Sequence, residues 1–158
     1  MMVWFPNSST WEPAQEELMA INKLNPYIMF NGTADKALKF YEKALGAKIE
    51  GLMRFGDVKE VPSKPEDKTR VMHALVRLDA GEFMVSDAMP GKNEPTESNM
   101  HVCLNFDNVD DMTRKFDALS AGGKITGPLQ DTFWGAKFGT LTDQFSVNWM
   151  FNCELKKG

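Results

Sequence analysis

An internal repeat is the feature that most constrains how this chain can fold. Residues 25–50 and residues 101–126 align without a gap, each with a short apolar run, a helical stretch, a glycine and a second apolar run. Two copies are too few for a solenoid. The repeat therefore predicts a single domain of two like halves, with a site where the halves meet. The aligned copies share Phe30 with Phe106, Asp35 with Asp111, Phe40 with Phe116, Gly46 with Gly122 and Ile49 with Ile125.

Length and charge narrow the class of protein. The 158 residues suffice for about one domain with a sizeable core. The net charge of −4 and the absence of a lysine or arginine block give no sign of nucleic-acid binding. No apolar run approaches the ~20 residues of a membrane span. Two cysteines, Cys103 and Cys153, favour free thiols in a reducing compartment, so a cytoplasmic location is expected.

The N-terminal residues differ from the repeat. We predict an arm over residues 1–22, followed by one domain over residues 23–158 whose repeat units occupy about 24–88 and 99–154. Trp4, Phe5 and Trp11 make this arm too apolar for a plain tail. It is expected to pack either on its own domain or on a second subunit.

The first half predicts a strand, a helix and three further strands. Residues 27–31 read as a strand, and an apolar stripe at helical spacing follows Thr33 until Gly46 ends the helix. Strands are expected at 47–55, 70–79 and 82–87, with Ala80-Gly81 forming the hairpin between the last two. The helical stripe consists of Ala34, Ala37, Leu38, Tyr41, Ala44 and Leu45.

The second half predicts the same order. A strand over 101–106 leads to a helix that Asn108 can cap and that Gly122-Gly123 closes. Strands follow at 124–129, 136–142 and 145–153, and the polar stretch 89–98 is the linker between halves. The expected fold class is α+β, with two βαβββ units.

These units resemble a known group of proteins. The runs GTADKALKFYEKALGAKI and LQDTFWGAKFGTLTDQFSVNWMFN, within residues 24–153, resemble the vicinal oxygen chelate superfamily of glyoxalase I, bleomycin-resistance proteins and extradiol dioxygenases. VMHA at 71–74, and WGAKFG at 134–139 with Asp143 after it, resemble the PhnB-like branch, some members of which are named 3-demethylubiquinone-9 3-methyltransferase. The resemblance implies paired curved sheets around a cup, and a homodimer.

The resemblance also implies where a metal would bind. Metal-dependent relatives hold a divalent ion with four side chains from the first and last strands of each unit. Only His101 among the corresponding residues is a good ligand, since proline, valine and methionine cannot replace imidazole or carboxylate on such an ion. We therefore expect no metal and no other cofactor. The four positions fall at Asn25 or Pro26, at Val85 or Ser86, at His101 and near Met150.

Strand alternation predicts the lining of the cup. His101, Cys103 and Asn105 share one face of a strand, and the repeat places Asn25, Tyr27 and Met29 on the matching face. Cys103 itself is expected to be a small buried thiol. Asn148, Met150 and Asn152 face the same way in the last strand, opposite an apolar face of Val147, Trp149 and Phe151 that we expect helices to cover.

Several polar and aromatic residues are candidates for the site. His73 and His101 are candidate acid–base residues because histidine titrates near neutral pH, although His73 could instead brace its strand through a hydrogen bond. Trp134 could stack on a ligand or fill the core. Ligand-binding candidates are Tyr27, Ser86, Asp87, Gln130, Asp131, Trp134 and Asn148, with Met29, Met150 and Phe133 as apolar walls.

Two functions of different kinds fit these residues. The first is a dimeric module that binds a small organic molecule without chemistry, and the missing metal ligands favour it. The second is a metal-independent lyase, isomerase or transferase that uses His73 or His101. Among transferases, the methyltransferase of the branch name lacks the glycine-rich strand-to-helix motif that binds S-adenosylmethionine in most such enzymes.

Overall fold

Two units of like topology follow each other along the chain. The computed structural model describes residues 2–3, 12–13 and 21–156. Two short strands, β1 (Met2–Val3) and β2 (Glu12–Pro13), pair with each other near the N-terminus. The first unit then consists of β3 (Tyr27–Phe30), α1 (Ala34–Leu45), β4 (Lys48–Arg54), β5 (Val71–Arg77) and β6 (Glu82–Asp87).

The second unit repeats this order. It consists of β7 (Val102–Phe106), α2 (Val109–Ser120), β8 (Lys124–Asp131), β9 (Ala136–Thr142) and β10 (Asn148–Glu154). The predicted α+β fold of two βαβββ units is therefore confirmed.

Each unit forms its own four-stranded mixed sheet. The order is β3-β6-β5-β4 in the first sheet and β7-β10-β9-β8 in the second, so the first strand of each unit lies at an edge beside the last. That pair is parallel in both sheets, and the other pairs are antiparallel. The sheets are not closed into a barrel.

A common core of aromatic side chains joins the two units. Tyr41 on α1 contacts Phe83 of its own unit and Trp149 of the other, with ring centroids 5.8 and 5.6 Å apart. Trp149, Phe151 and Cys153 are buried, as the predicted alternation of β10 requires. The whole predicted stripe of α1 is buried as well.

The two helices begin in different ways. Asn108 caps α2, its Oδ1 accepting the N–H of Asp111 at 2.8 Å. Thr33 precedes α1 without a side-chain cap. The buried carboxylate of Asp87 instead accepts the N–H groups of Gly32 and Ala34 at 2.8 and 3.0 Å, and that of Val71 at 2.9 Å. This carboxylate therefore stabilises the start of a helix that is more than fifty residues away in sequence.

The last strand begins later than predicted because a turn precedes it. Asp143 Oδ1 accepts the N–H groups of Phe145 and Val147 at 2.8 and 3.0 Å, and Ser146 has φ of 70°. These bonds hold residues 143–147 in a turn, so β10 starts at Asn148.

Most of the predicted N-terminal arm lies outside the described residues, including Trp4, Phe5 and Trp11. Within the described part of the chain, none of the helices has the length and apolar character needed to cross a membrane.

Candidate functional site

The first sheet has one face packed against α1, and its other face is here called the open face. The open face brings together three of the predicted site residues, Tyr27, His73 and Ser86. Pairing sets Met29 beside Ser86 and His73 opposite Met53, and the register of β5 with β6 puts His73 across from Ser86. One row thus runs across the sheet as Met29, Ser86, His73 and Met53. The next row carries Tyr27, Met84, Leu75 and Glu50.

Tyr27 and His73 form a polar pair on this face. The hydroxyl of Tyr27 lies 2.9 Å from Nδ1 of His73, and the two ring centroids are 5.8 Å apart. This bond fixes the imidazole ring and leaves Nε2 as the atom available to a ligand. The bond fits both predictions for His73, a strand brace and an acid–base residue.

A bulge in β4 sets which side chain faces His73. Glu50 pairs with Leu75, and Met53 pairs with His73. Between these two pairs β4 contains one residue more than β5. Gly51, inside the bulge, has φ of 59°, which other residues rarely adopt. Without the extra residue Leu52 would face His73. This bulge was not among the predicted features, although a glycine inside a strand pattern is the signal for one.

The open face of the second sheet is polar. Asn152 donates to Asn105 Oδ1 at 3.1 Å, and the hydroxyls of Thr126 and Thr140 lie 2.8 Å apart. Cys103 is exposed on this face, so the expectation of a buried thiol was wrong. Partial desolvation nevertheless raises the pKa of the Cys103 thiol, which disfavours the reactive thiolate.

A cavity of about 610 Å³ lies between the two units, at the edge of the first sheet. Tyr27, Met29 and Asn148 all line it, together with the linker around residues 94–98. Asn148 is already engaged there, because its Nδ2 donates to Ser98 O at 2.8 Å and its Oδ1 accepts from Thr142 at 2.8 Å. Two ligand-binding candidates thus share one cavity.

The aromatic tip between β8 and β9 lies in solvent. Phe133 is 97% exposed and Trp134 58% exposed, so the alternative that Trp134 fills the core was wrong. The Trp134 ring packs edge-on against Phe133 and Phe138, with centroids 4.9 and 6.1 Å away. Gln130 and Asp131 are exposed at the end of β8, where Asp131 Oδ1 lies 3.5 Å from the Lys137 amine.

His101 and Trp134 lie at opposite ends of the second sheet. His101 directly precedes β7, level with Asn148 and Thr142, whereas Trp134 precedes Ala136. The seven residues of β9 between these levels extend over about 20 Å. A single small ligand cannot contact both residues on this sheet.

The donors present do not fit the hard divalent ion of metal-dependent relatives. His101 is exposed and lies just before its strand begins. No three His, Cys, Asp or Glu side chains within the described ranges are grouped so as to hold a metal ion. Proline, valine and methionine at the remaining positions offer such an ion no suitable donor.

Comparison with known proteins settles the family. The model of the Glyoxalase/Bleomycin resistance protein/Dioxygenase superfamily matches residues 23–151. The chain belongs to this superfamily. Its resemblance to the vicinal oxygen chelate group is thereby confirmed. Protein YjdN of Escherichia coli strain K12 is 36% identical over 141 residues, covering 82% of this chain and 93% of YjdN.

Two solved structures have the same fold over most of their length. Protein PA1353 of Pseudomonas aeruginosa is 36% identical with a TM-score of 0.76, over 85% of this chain and 98% of the other. A PhnB protein of Bacillus cereus, provisionally named 3-demethylubiquinone-9 3-methyltransferase, is 26% identical with a TM-score of 0.69, over 83% of this chain and 98% of the other. The similarity to the PhnB-like branch is confirmed.

Proposed function

We propose that this PhnB-like protein binds a small, partly polar organic molecule on the open face of the first sheet, without a divalent metal. The observation that carries the proposal is the Tyr27–His73 pair, hydrogen-bonded at 2.9 Å amid methionine side chains. A binding site needs mostly apolar walls and a few fixed polar groups. Met29, Met53 and Met84 supply such walls, and methionine adapts its shape to different ligands.

The open face also supports pairing of two chains in a homodimer. Tyr27, Met29 and Met53 are each 40 to 45% exposed on the open face of the first sheet. Such apolar surface commonly marks an interaction site, and relatives of this family commonly form dimers. In a dimer the open faces of two chains can enclose one cup, into which Trp134 of the exposed tip could project. The free thiols of Cys103 and Cys153 support a location in the reducing cytoplasm.

A ligand screen tests the proposed binding. The full chain is melted in the presence of a collection of small aromatic and polar metabolites, since a ligand of the folded state raises the melting temperature. For any compound that does so, titration should show affinity lowered roughly tenfold or more in His73→Ala and unchanged in Lys36→Ala, a variant on the exposed side of α1. Equal affinity in both variants would place the ligand elsewhere.

Assembly is tested separately by light scattering. A homodimer at micromolar concentration is expected, and a stable monomer contradicts the proposed enclosure of the cup. The outcome does not depend on finding a ligand.

An enzyme is the second candidate, because His73 has a fixed ring and a free Nε2. Such a residue can act as a general acid or base in a lyase, isomerase or transferase reaction. The provisional name of the Bacillus cereus PhnB protein points to methyl transfer. Titration with S-adenosylmethionine tests that version: binding that His73→Gln leaves intact while product formation is lost favours the enzyme, and absence of binding removes the methyltransferase.

A further inference from the structure

We propose that His73, Met53 and Met84 form a binding site for monovalent copper on the open face of the first sheet. The three side chains project from adjacent strands of one face. Met53 is the register partner of His73 on β4, and Met84 lies diagonally across on β6, beside Leu75. Diagonal neighbours are within reach of long side chains, so the two thioether sulfurs and the imidazole can converge on one ion.

The donor chemistry selects the metal. Thioethers are soft ligands that favour Cu(I), and imidazole also suits copper, whereas Mg²⁺ and Ca²⁺ require oxygen donors. The row of Met29, Ser86, His73 and Met53 brings no carboxylate from the described strands. Glu50, in the neighbouring row, is paired with Arg77 at 3.0 Å. Three neutral, mostly soft donors match a singly charged soft ion better than a divalent one.

Two features of the face are explained by such a site. The bulge at Gly51 places Met53, rather than Leu52, opposite His73, although leucine would serve equally well as an apolar wall. The hydroxyl of Tyr27 engages Nδ1 of His73 at 2.9 Å, and metal-binding histidines typically bond their second nitrogen in this way. Met53 is also 40% exposed, so a metal can reach the sulfur from solvent.

The inference goes beyond the binding of an organic molecule, and its test is independent of that proposal. Full-length protein carrying Cys103→Ser, which removes an exposed thiol that would itself capture copper, is titrated with Cu(I) without oxygen against a chromogenic Cu(I) chelator. One Cu(I) per chain is expected. Met53→Leu and His73→Gln should each lower the affinity by more than tenfold, and Tyr27→Phe by roughly tenfold, as for loss of an outer-shell partner.

Met89→Leu is the matched control. Met89 is 46% exposed, close to the 40% of Met53, but lies beyond the end of β6. This substitution should leave the Cu(I) affinity unchanged. Leucine preserves the volume of methionine, and equal melting temperatures of the two variants would exclude misfolding as the cause of any loss.

Copper-edge X-ray absorption provides a second readout. It should show sulfur and nitrogen neighbours in the parent and fewer sulfur neighbours in Met53→Leu. Three results would overturn the proposal: less than one Cu(I) per chain, equal affinities for Met53→Leu and Met89→Leu, or tighter binding of Zn²⁺ than of Cu(I).

Discussion

Tyr41 of the first unit donates a hydrogen bond from its hydroxyl to Asp143 Oδ2 of the second unit at 2.7 Å. Both residues are buried. The same carboxylate oxygen accepts the indole N–H of Trp149 at 2.9 Å. Asp143 thereby connects α1 to the turn before β10, and the two halves of the repeat share one polar contact within an aromatic core.

Loss of this contact should destabilise the protein. In Tyr41→Phe the buried carboxylate loses one of its donors, and a hydrogen bond to a charged group contributes about 1.5–3 kcal/mol. The free energy of unfolding, measured with denaturant, should fall by that amount. Tyr27→Phe is the control, because its hydroxyl bonds a half-exposed histidine, and a loss of equal size there would contradict the argument.

The same tyrosine predicts how stability changes at alkaline pH. Burial, and then the charge of Asp143, raise the pKa of Tyr41 well above its ordinary value of about 10. Above pH ~10 the unfolded chain releases this proton while the folded chain retains it, so unfolding becomes more favourable. The contribution of Tyr41 to the free energy of unfolding should be fully present below pH ~10. It should decline as the pH rises toward the pKa of Tyr41 in the folded state.

Tyr41→Phe provides the comparison for that decline. Between pH ~10 and ~11 the parent should lose stability more steeply than the variant, since the other titrating groups are common to both. Parallel unfolding curves against pH would mean that Tyr41 titrates normally in the folded state.

The distant cap of α1 gives a third prediction. Asp87→Ala leaves three backbone N–H groups without their acceptor. Those of Ala34 and Val71 are buried, and each buried unsatisfied donor costs about 1–3 kcal/mol. A loss of at least about 2 kcal/mol in the free energy of unfolding is expected. Thr33→Ala should cost under about 0.5 kcal/mol because Thr33 makes no capping bond. The reverse order would show that Thr33, not Asp87, caps the helix.

The bulge in β4 gives a fourth prediction. Gly51 has φ of 59°, a conformation that costs other residues about 1–2 kcal/mol, so Gly51→Ala should lower the free energy of unfolding by that amount. Gly81→Ala, in a turn where an added Cβ meets no atom within 4 Å, should change stability by less than about 0.5 kcal/mol. Weakened NMR cross-peaks between Met53 and His73 in Gly51→Ala would show that the bulge sets their register.

The exposed aromatic tip gives a fifth prediction. Trp134→Ala should change the melting temperature little, because the residue is 58% exposed. If Trp134 stacks on a ligand, the same variant should lower the affinity for a compound found by the ligand screen. A large drop in melting temperature with unchanged affinity would instead assign Trp134 a structural role.

Local sequence patterns in this chain were sufficient to predict its order of helices and strands. Alternation in β10 and the 3.6-residue stripe on α1 predicted which side chains would be buried, and Gly46, with φ of 68°, ends its helix as expected. These patterns are readable because each strand or helix has one buried face, and burial of apolar side chains dominates the free energy of folding.

Only the tertiary structure decided which polar residues meet. Alternation places a side chain on a face but does not give the register between strands, so the contact of Tyr27 with His73 could not be predicted from sequence. Gly51 inside a strand pattern signals a bulge, but it does not say which side chains the bulge sets opposite each other. Asp87 was a ligand-binding candidate, yet its carboxylate accepts the backbone N–H groups of Ala34 and Val71. Asp143 entered only through the family resemblance, and the structure shows it accepting the hydroxyl of Tyr41. Such contacts depend on long-range packing, whereas the repeat, the helices and the strands follow from neighbouring residues alone.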